Sequence, residues 1–200
     1  MIAFKFLGAG ARAPFTRFQW PSPGDWVSAP ADDTEMWIYA CRRRDLPYWL
    51  DDELWRIELE EPVREARYQI ASPRGRLLSR VAAWDRGLMR DYAQACALRA
   101  RELALPHVPD TVREALADAP DLEAIAAAAA RAGPTSRTAE YVADAANNAL
   151  HVGPATTSYI AAMLASSLGG GLAAFEAERA WQARWIADRL ALEPDPRAGS

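Results

Sequence analysis

Apolar and polar residues alternate with a period of two along the front of this chain and recur at helical spacing from about residue 82 onward, so strands followed by helices are expected. Ile2, Phe4 and Phe6 alternate with Ala3, Lys5 and Leu7, the pattern of a strand with one strongly apolar face, and Gly8 and Gly10 end it. Residues 11–35 carry Pro14, Pro21, Pro23, Gly24 and Pro30 among Phe15, Phe18, Trp20 and Trp26, which reads as a long loop pinned by aromatic side chains. Met36 to Cys41 is a continuous apolar run between Asp32-Asp33 and Arg42-Arg43-Arg44, as expected of a central strand covered on both faces. Asp45 to Leu50 fits one short helical turn, with Asp45 as cap and Pro47 near its start. Trp55, Ile57 and Leu59 then alternate with Arg56, Glu58 and Glu60 in a half-exposed strand that Pro62 ends. Tyr68 to Ala71 reads as a further strand, Ser72 to Gly75 as a turn, and Arg76 to Val81 as a last strand or the lead into a helix.

Behind these lies alanine-rich helix. From about Ala82 to Leu105 the residues Trp84, Leu88, Tyr92, Ala95 and Cys96 share one stripe, and Pro106 stops the pattern. Thr111-Val112-Arg113-Glu114 has the spacing of a capping box, and Asp121 is placed to cap the next helix, which runs to about Ala132 before Gly133-Pro134. A fourth helix is expected over about Ser136 to Asn147, a fifth from Gly153-Pro154, and a last over about Leu172 to Leu192 after a flexible Gly169-Gly170-Gly171 break. In that last helix Leu172, Phe175, Ile186 and Leu190 fall on one face while Ala174, Trp181 and Trp185 fall on another. The second face calls either for burial within the bundle or for a homodimer or partner interface built on Trp181 and Trp185.

Composition narrows the chemistry. Acidic residues outnumber basic ones by 27 to 23, giving a net charge of −4 and no field that would recruit a nucleic acid. Lys5 is the only lysine; every other basic residue is arginine, so amine chemistry rests on one side chain and the remaining cations are guanidinium forks. Cys41 and Cys96 lie far apart without a C-x-x-C partner and read as buried thiols. His107 and His151 sit at helix ends without a nucleophile or metal-ligand spacing around them. No stretch of about 20 uniformly apolar residues occurs and no signal-peptide pattern opens the chain, so a soluble cytoplasmic protein is expected.

The sequence Ile2-Ala3-Phe4-Lys5-Phe6-Leu7, then Pro14-Phe15 and Trp20, then Tyr39-Ala40-Cys41-Arg42 with Asp45-Leu46-Pro47-Tyr48-Trp49-Leu50 and Glu53-Leu54-Trp55, resembles an uncharacterised domain family of short bacterial and phage proteins. The resemblance covers about the first 85 residues; the family's usual His-Ala-Cys motif here has Tyr39 in the histidine position. In element order the same region is similar to the split β-sandwich of ADP-ribosyltransferases, an analogy of layout alone. That analogy implies an aromatic platform for nicotinamide, a cation near a pyrophosphate and a carboxylate beside the ribose, for which Lys5, Tyr39, Arg42 and Glu58 are the candidate catalytic residues. The plainer reading places Tyr39 in the core, Arg42 to Arg44 at a solvated strand end and Glu58 on the polar face of its strand. Ala177 to Leu190, including Glu178-Arg179-Ala180-Trp181-Gln182, resembles the closing helix of alanine-rich immunity proteins.

Together these readings give an α+β fold, with a small, mostly antiparallel sheet in residues 1–81 packed against a helical bundle in residues 82–200 as one cooperative unit. With no complete catalytic motif, the expected function is that of an interaction or accessory protein. No cofactor or metal is expected, and neither nucleic acid nor membrane is a partner; a protein partner or a second copy would meet the C-terminal helix. The alternatives are a transferase-type enzyme with a nucleotide or small-molecule pocket in the aromatic front, and a toxin-neutralising protein.

Overall fold

The structure, a computed structural model, describes residues 1–29 and 37–193 and is an α+β fold. It comprises two compact units, Met1–Asp85 with Ile186–Ser200, and Arg86–Trp185. Met36 and the terminal tail from Pro194, both part of the sequence reading, lie outside the described residues.

The first unit carries β1 (Ile2–Leu7), β2 (Val27–Ser28), β3 (Ile38–Ala40), β4 (Glu53–Leu59), β5 (Arg64–Glu65), β6 (Ile70–Ser72) and β7 (Arg74–Arg80). A four-stranded antiparallel sheet runs in the order β1-β4-β7-β2, and a three-stranded one in the order β3-β6-β5. Phe4 and Cys41 exchange both backbone hydrogen bonds, at 2.9 and 2.8 Å, which hooks the residue after β3 onto the free edge of β1. Both sheets feed one apolar cluster: Leu7, Ile57, Leu59 and Leu77 from the larger meet Ile38 and Ile70 from the smaller. Each such side chain, fully buried, stabilises the fold by about 1.5–3 kcal/mol before entropy is counted. Gly75 of β7 marks where the layers come closest, since a Cβ there would lie 3.1 Å from Leu59 Cδ2 and 3.2 Å from Ile38 Cγ2.

The expected central strand is therefore an edge. β3 is three residues long and ends the smaller sheet, whereas β4 and β7 occupy the centre of the larger. Ile38 and Ala40 are buried but Tyr39 between them is 38 % exposed, so only one face of this run meets the core. The alternation of β4 is as the sequence indicates, with Ile57 and Leu59 buried and Arg56 and Glu58 half-buried. Ser72 to Gly75 is not a free turn: β7 resumes at Arg74, and Ser72 Oγ donates to the Glu60 carbonyl at this corner.

The second unit is built from α1 (Arg86–Ala104), α2 (Asp110–Ala117), α3 (Leu122–Ala132), α4 (Arg137–His151), α5 (Pro154–Ala165) and most of α6 (Gly171–Arg189). Helix α1 packs on α4 and α5, and α3 packs on α4, through alanines such as Ala97, Ala100, Ala129, Ala146 and Ala161. Their small side chains give little apolar area each but let the helix axes approach closely. Asp121 and Ser136 cap α3 and α4 by accepting from Ala124 N and Ala139 N. The Thr111 capping box does not form: α2 starts at Asp110 behind Pro109, with no side-chain cap, and Asp110 pairs instead with Arg113 at 2.8 Å.

Gly169 to Gly171 is a kink between α5 and α6, where the sequence places its glycine break. Ser166–Gly170 forms a π-type turn in which Gly169 takes φ 102°, a conformation that requires glycine, before α6 continues. By length and composition alone the run Pro154–Arg189 is long and apolar enough to cross a membrane, with a window of mean hydropathy 1.4. The buried stripe of α6 differs from the sequence expectation. Glu178, Arg179 and Gln182 are buried beside Ala183, whereas Leu172 is 55 % exposed.

Trp84 precedes α1 rather than lying inside it, because Val81 N still pairs with Leu54 O and extends the sheet. Its ring is fully buried, meets Phe6 edge-on at 5.5 Å and donates its indole N–H to the Asp51 carbonyl at 2.9 Å. Trp84→Ala is expected to cost about 3–5 kcal/mol, read from urea unfolding of the full chain; a loss below 1 kcal/mol would remove Trp84 from the core of the first unit.

Candidate functional site

A cavity of about 750 Å³ opens in the first unit between β1, the segment 13–20, β3 and the short 3-10 helix Arg43–Tyr48. Its walls are largely aromatic: Phe15, Phe18, Trp20, Trp37, Tyr39, Tyr48 and Trp49. The sequence places them there through local constraints. Segment 8–20 is folded back on β1 by reciprocal backbone bonds between Gly8 and Arg12 and by Trp20 N donating to Ala11 O. The buried Glu53 carboxylate of β4 anchors the same segment, accepting from Gly10 N at 3.0 Å, Ala11 N at 3.1 Å and Trp55 Nε1 at 2.9 Å. Burial pushes this carboxyl up, but the three donors and Arg80 outweigh it and hold the Glu53 pKa below its ordinary value. On the opposite wall Tyr48 stacks on Tyr68 at 4.1 Å, and Trp49 Nε1 donates to the Tyr68 carbonyl at 2.7 Å.

Lys5 is the cation of this cavity. The pleat of β1 turns its side chain to the same face as Ala3 and Leu7, where its ammonium donates to the Tyr39 carbonyl at 2.5 Å and lies over the Trp20 ring, 5.4 Å from the centroid. Among the described residues no carboxylate pairs with it. Loss of hydration lowers its pKa from 10.5 to about 8, only partly opposed by the neighbouring Cys41 sulfur. Trp20 is 5 % exposed and its indole N–H is buried, with no acceptor among the described residues. Among the described residues Asp51 is the one acidic side chain lining the cavity, and burial raises its carboxyl above the ordinary range.

The four candidate catalytic residues do not converge. Lys5 and Tyr39 line the cavity, and Tyr39 is not the core residue of the plainer reading. Arg42 is not a solvated strand end either. It is 6 % exposed, with Nε on Asp45, NH1 on Glu65 at 2.9 Å, and NH2 on the carbonyls of Ala66 at 2.7 Å and Arg67 at 3.0 Å. Its planar fork cross-links the 3-10 helix to the loop after β5, a structural role that leaves little for a ligand. Burial pushes the Asp45 carboxyl up in spite of this guanidinium. Glu58 lies on β4 in an ion pair with Arg76 at 2.7 Å and is not among the lining residues.

In the second unit Trp181 and Trp185 are half-buried against α1. Arg99 lies over the Trp181 ring at 5.6 Å, and Trp185 meets Tyr92 at 5.3 Å. Sequence reasoning missed the polar network beside them: Arg179 donates to Ser158 Oγ at 3.1 Å and Gln182 Oε1 at 3.0 Å, Gln182 donates to Ser158 O at 2.9 Å, and Arg99 approaches Glu178 at 3.4 Å. Burial raises the Glu178 carboxyl against the pull of Arg99. Cys41 and Cys96 are buried and form no disulfide, and burial pushes the Cys96 thiol well up. His107 and His151 are exposed at helix ends, and no cluster of metal-ligating side chains is present among the described residues.

The lowered pKa of Lys5 has a stability consequence. Between pH 8 and 10.5 the unfolded chain holds a proton on Lys5 that the folded chain has released, so folding strengthens as pH rises through that window and bears the full cost below it. Lys5→Met, which keeps the length and removes the charge, is expected to stabilise the protein at pH 7 by about 1–2 kcal/mol, discounted for the partial exposure of the side chain. The gain should shrink across the same window in urea titrations; an equal gain at both ends would contradict a desolvated ammonium.

No family model matches this chain, and comparison with curated proteins and with solved structures finds no match.

Proposed function

We propose that the first unit is a binding module for a small aromatic molecule, with the Lys5–Tyr39 cavity as its site. The observation that supports this reading is an aromatic-lined cavity of about 750 Å³ that carries a cation with no carboxylate partner among the described residues. Drug-sized ligands occupy pockets of roughly 300–1,000 Å³ that are mostly apolar with a few placed polar groups. This raises the small-molecule alternative above the interaction-protein reading. Transferase chemistry gains no such support, because Arg42 and Glu58 are engaged in ion pairs and are not among the residues lining the cavity. The interaction reading retains one observation, the exposed Val152, Tyr159 and Leu172 of the helical region.

The test is a thermal shift of the full chain with naphthylmethanol, a neutral aromatic probe. Saturating probe should raise the melting temperature, since binding to the folded state alone stabilises it by mass action. Ser28→Trp, which adds bulk at an exposed lining position, should abolish the shift while the protein still folds. NAD should give no shift, because a single lysine faces its two phosphates and no arginine lines the cavity. Absence of any shift, together with unperturbed aromatic NMR resonances at millimolar probe, would overturn the reading.

A further inference from the structure

We propose that the cavity selects aromatic carboxylic acids, the ring lying along the aromatic wall and the carboxylate pairing with the Lys5 ammonium; this rests on the cavity being a ligand site. An ammonium has three donors and no acceptor, and only one donor of Lys5 is used, on the Tyr39 carbonyl. Holding that charge among Phe, Tyr and Trp rings is costly, as its lowered pKa of about 8 reflects, and an anion delivered by a ligand offsets the cost. A pKa near 8 nevertheless leaves most of the side chain protonated at pH 7. The Trp20 ring lies beneath the ammonium and gives the apolar body of such an acid an aromatic surface beside the charge.

The charge of the ligand is limited as well as signed. Among the described residues Lys5 is the one cation lining the cavity, and Arg42 is committed to Asp45 and Glu65. Asp51 in the wall opposes further negative charge, so a monoanion with a flat apolar body fits and a phosphate dianion or pyrophosphate does not. Tyr39, 38 % exposed, and Phe15, 84 % exposed, leave aromatic surface for such a body to cover.

Calorimetry on the full chain at pH 7 and low salt separates the possibilities with three probes of one shape: naphthoate, methyl naphthoate and naphthylmethylamine. Naphthoate should bind about 10- to 100-fold tighter than its ester, the range of a charge-assisted hydrogen bond, and the amine should bind weakest. In Lys5→Met the acid should lose that advantage while the ester keeps its affinity. Equal binding of acid and ester by the unmodified protein would overturn the acid preference and leave the ligand cavity standing, and this comparison does not depend on the variant folding. Tightest binding of the amine would overturn the preference too, assigning the polar contact to Asp51. If none of the three binds, the inference and the proposed function fall together.

Discussion

Two hydrogen bonds between Phe4 and Cys41 hold the first unit in register. They tie the end of the smaller sheet to the edge of β1 that β4 leaves open, since the other edge of β1 is taken by β4 from Ile2 to Leu7. Once Phe4 faces Cys41, the carbonyl of Tyr39 falls within reach of Lys5, and Ile38 and Ala40 turn into the core that Leu7, Ile57 and Leu77 fill. The tyrosine side chain between them is then directed away from that core, and a cavity rather than packed protein lies beside it. One backbone bridge thus fixes both the shared core and the wall in which the lysine sits.

Several buried polar groups in this unit are fully paired. The Glu53 carboxylate collects donors from Gly10, Ala11 and Trp55, and the Arg42 guanidinium is spread over two carboxylates and two carbonyls. These are the satisfied networks that a low-dielectric interior demands. The Trp20 N–H and Arg74 Nε lack acceptors among the described residues, and Lys5, whose ammonium lies over the Trp20 ring, has a backbone carbonyl but no carboxylate among them. The second unit buries Arg179, Gln182 and Glu178 on α6, again with partners on α1 and α5.

Much of this was legible in the sequence, and the failures have physical causes. Alternation identified β1 and β4, and Asp121, Ser136 and Pro154 marked helix starts because capping chemistry is local. Met36 to Cys41 misled because an apolar run reports contact with apolar surroundings, and a cavity wall provides these as well as a core does. Arg42 misled because its partners Glu65, Ala66 and Arg67 are over twenty residues away, beyond any spacing argument. The buried face of α6 was missed for a related reason: Glu178, Arg179 and Gln182 read as solvent-facing until Ser158 and Arg99 are brought to them. Of the candidate site, Lys5 and Tyr39 were found from residue type, while the loop aromatics Phe15 and Phe18 signalled only burial and proved substantially exposed.

The account turns on Lys5 being a desolvated ammonium with no carboxylate partner among the described residues. Because it is the only lysine, nitrogen-15 labelling of lysine gives one side-chain NMR signal whose titration reports the group without assignment. The account predicts a midpoint near 8, well below the ordinary 10.5, and a rise of that midpoint when naphthoate is added. A midpoint at the ordinary value, unmoved by the acid, would place the ammonium in water and contradict the site.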